Sequence, residues 1–212
     1  MVDSAAGNEC VAGNYYDKYG TRNPIARYLM SGFTSDLDEL AAVSACSDVH
    51  EIGCGEGNLS IRLTQHGLTV RGSDYSPEVI SLARRNASAV GSEIPFKAAS
   101  IYELTQEEDS AELIICCEVL EHLESPERAL KVIQQLAQRH VIFSVPREPL
   151  WRILNMARGK YLKEWGNTPG HVQHWSKAGF IAMIEKYFEI IEIRSPLPWT
   201  MLLCRPLAES VR

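Results

Sequence analysis

Basic residues are not in excess in this chain, its cysteines show no paired spacing, and no apolar run approaches the ~20 residues a membrane-spanning helix requires. With 21 Lys and Arg against 27 Asp and Glu, the formal net charge is −6. That balance argues against a general nucleic-acid partner, a local basic patch aside. Cys10, Cys46, Cys54, Cys116, Cys117 and Cys204 fall at none of the short intervals of a zinc knuckle or a disulfide framework. Cys116 and Cys117 stand inside an apolar run and read as buried thiols. The N-terminus lacks a basic start followed by an apolar core, so no secretory signal is expected. Internal repeats and low-complexity tracts are also missing. These absences point to a reduced, cytoplasmic protein.

What remains has the size and composition of one large domain. The chain has 212 residues, 45% hydrophobic and 23% charged, enough to bury a continuous core. Five β-type runs, at 48–53, 68–74, 94–100, 111–117 and 140–146, alternate with helical patterns at 58–67, 76–91 and 125–138. The last two helices open with Ser-Pro-Glu, a side-chain cap, a proline at the first helical position and an acid in the first turn. Such alternation predicts an α/β fold, a doubly wound, mostly parallel sheet with helices on both faces. Residues 176–186 read as a further helix. "YFEIIEIRS" and "LPWTMLLCRP" read as two closing strands, and their short connection implies an antiparallel pair, for seven strands in all. Two segments stand outside the alternation, a helical stretch over 1–45 and an insertion over 147–175. Both are expected to cover the sheet edge at the carboxyl ends of the strands, where ligands of such folds bind.

"VHEIGCGEGNLS" (49–60) runs from a strand through a glycine turn into a helix. A P-loop would need Lys-Ser or Lys-Thr after the glycines, and none is there. The dinucleotide fingerprint would need a third glycine where Asn58 stands. The spacing is Gly53-x-Gly55-x-Gly57, with an acid at Glu51 before it. A turn so stripped of side chains lets a ligand lie against backbone. This one suits an adenosyl ligand without a pyrophosphate. Asp74, about twenty residues on at the end of the second strand, can accept both ribose hydroxyls and repels a 2′-phosphate. The competing reading is that the glycines merely permit tight helix–strand packing.

From about residue 45 to 146 the sequence resembles the class I S-adenosylmethionine-dependent methyltransferases, in particular a small-molecule, ubiquinone-biosynthesis-like branch. "EIGCGEGNLS" is similar to the first motif of that family, "GSDYSPEVISLARR" to its second and "LIICCEVLEHLESPERAL" to its fourth. The resemblance implies a Rossmann-like fold and S-adenosyl-L-methionine as cofactor. It assigns cofactor contacts to Glu51, Gly53, Cys54, Gly55 and Asn58 in the first motif. Asp74 and Tyr75 would hold ribose and adenine, with Ser100, Ile101 and Tyr102 also at the adenine and Cys117 and Glu118 at the methionine end. Relatives often carry Asp where Ser100 stands, so an uncharged hydroxyl would accept the adenine amino group here. At the N-terminus Tyr16, among Tyr15 and Tyr19, is the candidate for meeting the methionine carboxylate.

Methyl transfer from a sulfonium needs alignment and, for an oxygen or nitrogen acceptor, a base. If "EVLEHLES" turns helically, Glu118, Glu121 and His122 share one face. His122 is the first candidate base because imidazole titrates near neutral pH. His171 and His174, in "NTPGHVQHWSKAGF", are the second cluster. The bland alternative for all three is loop histidines bonded to backbone. Two carboxylates with one or two histidines also make a set able to hold a divalent cation. The set Glu118, Glu121 and His122, with His171 or His174 as a fourth member, resembles the E-x-x-E-H motif of small-RNA 2′-O-methyltransferases and quinone-biosynthesis O-methyltransferases. The leading reading assigns no metal, because the short motif also resembles that of methyltransferases that need none.

Arg147, Arg152, Arg158, Lys160 and Lys163, interleaved with Leu150, Trp151, Leu154 and Tyr161, give the insertion a basic and an apolar side. It reads either as an amphipathic lid or as a clamp for an anionic substrate, free or presented on a membrane surface. The leading expectation is one methyltransferase domain over 1–212 that methylates oxygen or nitrogen of a small molecule. The alternatives are a metal-assisted O-methyltransferase acting on a ribose or polyphenol hydroxyl, and an inactive cofactor-binding partner protein. Nothing in the residues speaks to oligomeric state.

Overall fold

The computed structural model describes residues 23–157, 165–168 and 170–208. Seven strands form one sheet in the order β3-β2-β1-β4-β5-β7-β6. They are β1 (Asp48–Ile52), β2 (Thr69–Asp74), β3 (Phe96–Ala98), β4 (Ala111–Cys117), β5 (Ala137–Pro146), β6 (Phe188–Arg194) and β7 (Trp199–Pro206). The first five pair in parallel, while β7 runs antiparallel to both β5 and β6. The doubly wound sheet with one antiparallel C-terminal strand is as expected. Its strand order reverses between β1 and β4, which opens a crevice at their carboxyl ends.

Around it lie α1 (Pro24–Ser44), α2 (Asn58–Gln65), α3 (Pro77–Ala89), the short α4 (Gln106–Asp109), α5 (Pro126–Leu136), α6 (Leu150–Ala157) and α7 (Lys177–Ile184). Strand β4 is apolar along nearly its whole length because it is buried on both faces. Leu113 and Ile115 point to one face, into a core with Phe33, Leu37 and Leu40 of α1. Ile114 and Cys116 point to the other, into a core with Leu130 and Ile133 of α5 and Phe180 of α7. Edge strand β6 instead alternates in burial along most of its length.

Two local expectations are revised. Ser76 does cap α3, accepting from Val79 N at 3.2 Å, but Ser125 makes no side-chain cap on α5; its carbonyl accepts the Tyr102 hydroxyl instead, at 3.2 Å. Strand β5 begins at Ala137, three residues ahead of the apolar run, because Ala137 pairs with Ala111 across an irregularity in which β5 carries one extra residue before His140 pairs with Leu113. The described part of the N-terminal segment, α1, packs across β5 and β7 on one sheet face. Tyr15, Tyr16 and Tyr19 lie outside the described residues, as do Arg158, Lys160, Tyr161 and Lys163 of the insertion.

Candidate active site

The glycine turn is held from below by β2. Gly53 N and Cys54 N both donate to the Ser73 carbonyl, at 2.7 and 3.0 Å. Gly53 has φ +74°, and a Cβ there would stand 2.2 Å from Val119 Cγ2; Gly55 has φ +52° and faces open space. Glycine is therefore needed at the first position for packing and at both for backbone conformation. The turn opens onto a cavity of about 350 Å³, within the range of small-molecule sites.

Asp74 closes one side. Its Oδ2 accepts from Gly55 N at 3.1 Å and its Oδ1 from Ser76 N at 3.1 Å, so the carboxylate is oriented by backbone on both oxygens. Beneath the turn Glu51 is 3% exposed and accepts the Ser60 hydroxyl. Burial pushes its carboxyl up to about 8; the Ser60 bond pulls it back and the Asp74 charge adds to the rise. Burial likewise raises the Cys54 and Cys117 thiols, so neither is a thiolate nucleophile at neutral pH. Ser100 spends its hydroxyl oxygen as the cap of a 3-10 turn, accepting from Tyr102 N at 3.4 Å. Arg128 lies over the Tyr102 ring, 4.6 Å from its centroid.

The turn after β4 departs from the expected helical face. Glu118 has φ +60°, and the helical turn that follows is a single 3-10 turn, Leu120–His122. Glu118 and Glu121 consequently part company. Glu118 lines the cavity and accepts the Trp199 indole N–H at 2.7 Å, whereas Glu121 turns inward, 1% exposed. The Glu121 carbonyl accepts Val172 N at 2.8 Å and Gln173 N at 2.9 Å, which stitches the end of the insertion to this turn. That contact brings His171 edge-on to His122, with ring centroids 4.9 Å apart. His122 Nδ1 lies 2.9 Å from the Gly170 carbonyl. A carbonyl only accepts, so Nδ1 carries the proton and Nε2 of the neutral ring carries the lone pair. Among the described residues, Glu121, His122 and His171 bring ligand atoms within 4.8 Å of one another. The four-membered set with Glu118 does not assemble, because its left-handed backbone takes that residue off the shared face.

Residues 50–145 match the family model described as a methyltransferase domain. Ubiquinone biosynthesis O-methyltransferase of Coxiella burnetii is 36% identical over 83 residues, 39% of this chain and 36% of that protein. Its Cronobacter sakazakii counterpart is 29% identical over 148 residues, 68% of this chain and 60% of that protein. This chain thus spans between about a third and two thirds of the curated relatives' length. Residues 50–145 are thus a methyltransferase domain, and the chain is similar in sequence and fold to class I S-adenosylmethionine-dependent methyltransferases. The methyltransferase fold also superposes on magnesium protoporphyrin IX methyltransferase from Synechocystis, solved with bound SAH. There the TM-score is 0.67 at 23% identity, over 91% of each chain. For an N-methyltransferase from Bradyrhizobium japonicum the TM-score is 0.62 at 20% identity, over 88% of this chain and 90% of that one.

Within this methyltransferase domain, the first-motif positions Glu51, Gly53, Cys54, Gly55 and Asn58 line the cavity, as do Asp74 and Tyr75. Ser100, Ile101, Tyr102, Cys117 and Glu118 line it from the other strands, with His122 and His171 at the mouth of the β4 turn. His174 does not line it; its Nδ1 lies 3.6 Å from Glu148 Oε1. Of the insertion's basic residues, Arg147 and Arg152 are described, and neither lines the cavity. Ile52, Ser73 and Ala99, each next to an expected contact, and Glu56, Leu59, Val119 and Leu123, inside the first and fourth motifs, also line the cavity though the sequence did not single them out. So does Phe33, for which nothing local gives a signal, since helix packing alone carries that ring to the cavity wall.

Proposed function

We propose that this chain is an S-adenosylmethionine-dependent methyltransferase that transfers the methyl group to an oxygen or nitrogen of a small-molecule acceptor. The observation that carries the proposal is the cavity itself, with a glycine turn and an oriented carboxylate at one end and a histidine of defined tautomer at the other. Its described lining includes the carboxylates of Glu56, Asp74 and Glu118 and no Lys or Arg, a charge balance suited to a ligand with a sulfonium and an ammonium group. The cofactor supplies a methyl already activated on sulfur, so the chain's residues have to align and deprotonate the acceptor. Asp74 would accept the ribose hydroxyls, and Glu118 would face the ammonium end. His122 Nε2 would take the acceptor's proton, while the Gly170 carbonyl steadies the imidazolium through Nδ1–H. The named activity of the matching relatives favours an oxygen acceptor. Asp74→Ala is expected to weaken binding of S-adenosylhomocysteine by roughly 1–3 kcal/mol, read by titration calorimetry. Absence of binding to the unaltered protein overturns the proposal.

A second reading, metal-assisted O-methylation, rests on the Glu121, His122 and His171 group. One carboxylate and two imidazoles are an ordinary donor set for a divalent cation, which when bound would acidify an acceptor hydroxyl. Loss of activity on chelation, restored by magnesium or manganese, would support it; activity indifferent to chelators would remove it.

A further inference from the structure

Glu118 stands at the methionine end of the proposed site on a turn that does not look able to hold it. Its backbone is left-handed at φ +60°, a conformation that costs an L-residue roughly 1–2 kcal/mol. A glutamate carboxyl on such a turn ordinarily samples several rotamers. Here one oxygen accepts the Trp199 indole N–H at 2.7 Å, a charge-assisted bond. Trp199 cannot turn away. It is 3% exposed and opens β7 opposite Pro146 of β5. Its ring is met edge-on by Phe33 of α1, centroids 5.0 Å apart, and at a tilt by Trp151 of α6, centroids 5.8 Å apart.

Trp151 is itself fixed. Its indole N–H donates to Thr168 Oγ1 at 2.9 Å, and the same oxygen accepts from Asn155, a residue 1% exposed, at 3.2 Å. The other end of this aromatic row meets the histidines, because Trp151 stacks on His171 with rings 6.1 Å apart and 23° between planes. Trp151 of α6 thus lies between the tryptophan that holds the Glu118 carboxylate and the imidazole of His171.

We infer that Trp199 is a positioning residue for the cofactor site, aiming the Glu118 carboxyl through its indole N–H, and that α6 holds Trp199 in place through Trp151. This rests on the methyltransferase reading for the identity of the ligand, but not for the contact itself. An aimed carboxylate spares the ligand the cost of ordering it, so the effect belongs in cofactor affinity rather than in the chemical step.

Trp199→Phe keeps an aromatic ring between Phe33 and Trp151 and removes the donor together with the pyrrole half of the indole. The full chain carrying it is expected to bind S-adenosylmethionine about tenfold more weakly, the loss of one charge-assisted bond. The melting temperature should fall through the lost ring volume, while kcat at saturating cofactor should change little, which separates positioning from chemistry. Glu118→Gln should weaken binding similarly, and the double variant should be no weaker than Glu118→Gln alone, the mark of a shared interaction. Unchanged affinity in Trp199→Phe, or losses that add in the double variant, would overturn the inference. A cofactor-independent readout separates it from the proposed function. The indole resonance that disappears from the 15N spectrum of the ligand-free protein in Trp199→Phe should move in Glu118→Gln. If it stays in place the inference fails, whatever binds. If it moves while the unaltered protein binds no S-adenosylmethionine, the contact stands and the methyltransferase reading falls.

Discussion

Glu51 is a carboxyl shut beneath a ligand turn with a serine hydroxyl as its donor, and its titration has a thermodynamic consequence. Its value rises from 4.5 to about 8 on folding, chiefly through burial. Between those limits the folded state keeps a proton that the unfolded state has released, so stability falls as pH climbs through that window and levels off above it. Glu51→Gln, which keeps a partner for Ser60, should flatten that decline. Urea unfolding at a series of pH values checks it, and parallel curves for the two proteins would contradict the buried neutral acid. At His122 the expectation is kinetic. His122→Ala should lower kcat by about 10²–10⁴, the usual share of a general base, with cofactor affinity nearly unchanged. Equal loss in both would reduce His122 to a scaffold for the return loop. Its candidacy was legible from residue type, but its tautomer was not, because the Gly170 carbonyl that sets it comes from 48 residues downstream.

The glycine turn shows that similar residues in one element do different work. Gly53→Ala would place a methyl against Val119 at φ +74° and should destabilise the protein by about 2 kcal/mol or more, from left-handed strain and overpacking together. Gly55→Ala meets open space, so its cost to folding should be about 1 kcal/mol, while cofactor affinity is expected to fall because the methyl stands in the cavity proposed to hold it. Unfolding and titration calorimetry on the pair should separate the two effects; equal stability losses would contradict this division. The element after β4 was harder to read. The i, i+3, i+4 rule presumes an α-helix, and one left-handed residue at Glu118 removes that premise. In the return loop, His171 and His174 look equivalent in sequence. Two backbone bonds to the Glu121 carbonyl turn the first toward the cavity, and the second lies against Glu148 instead.

For the molecule as a whole, α1 is a structural partner of the sheet as well as a neighbour of the site. Leu37 is fully buried between α1 and the sheet, and Leu37→Ala should cost about 2–5 kcal/mol. Because Phe33 on the same helix lines the cavity and braces Trp199, cofactor affinity should fall with it. A large stability loss with unchanged affinity would show that helix and site are independent. The seven-stranded fold was legible because central parallel strands must be apolar on both faces, a pattern that local sequence displays.

By itself the sequence determined the strand–helix alternation, the glycine turn and the acid at the tip of the second strand, since each depends on residues within one strand–turn–helix unit. Only the tertiary structure decided which histidine meets His122, that Glu118 and Glu121 separate, that Trp199 donates to Glu118 and that Phe33 lines the cavity. Those contacts join segments tens of residues apart, where packing and hydrogen-bond partners set direction and local periodicity carries no information.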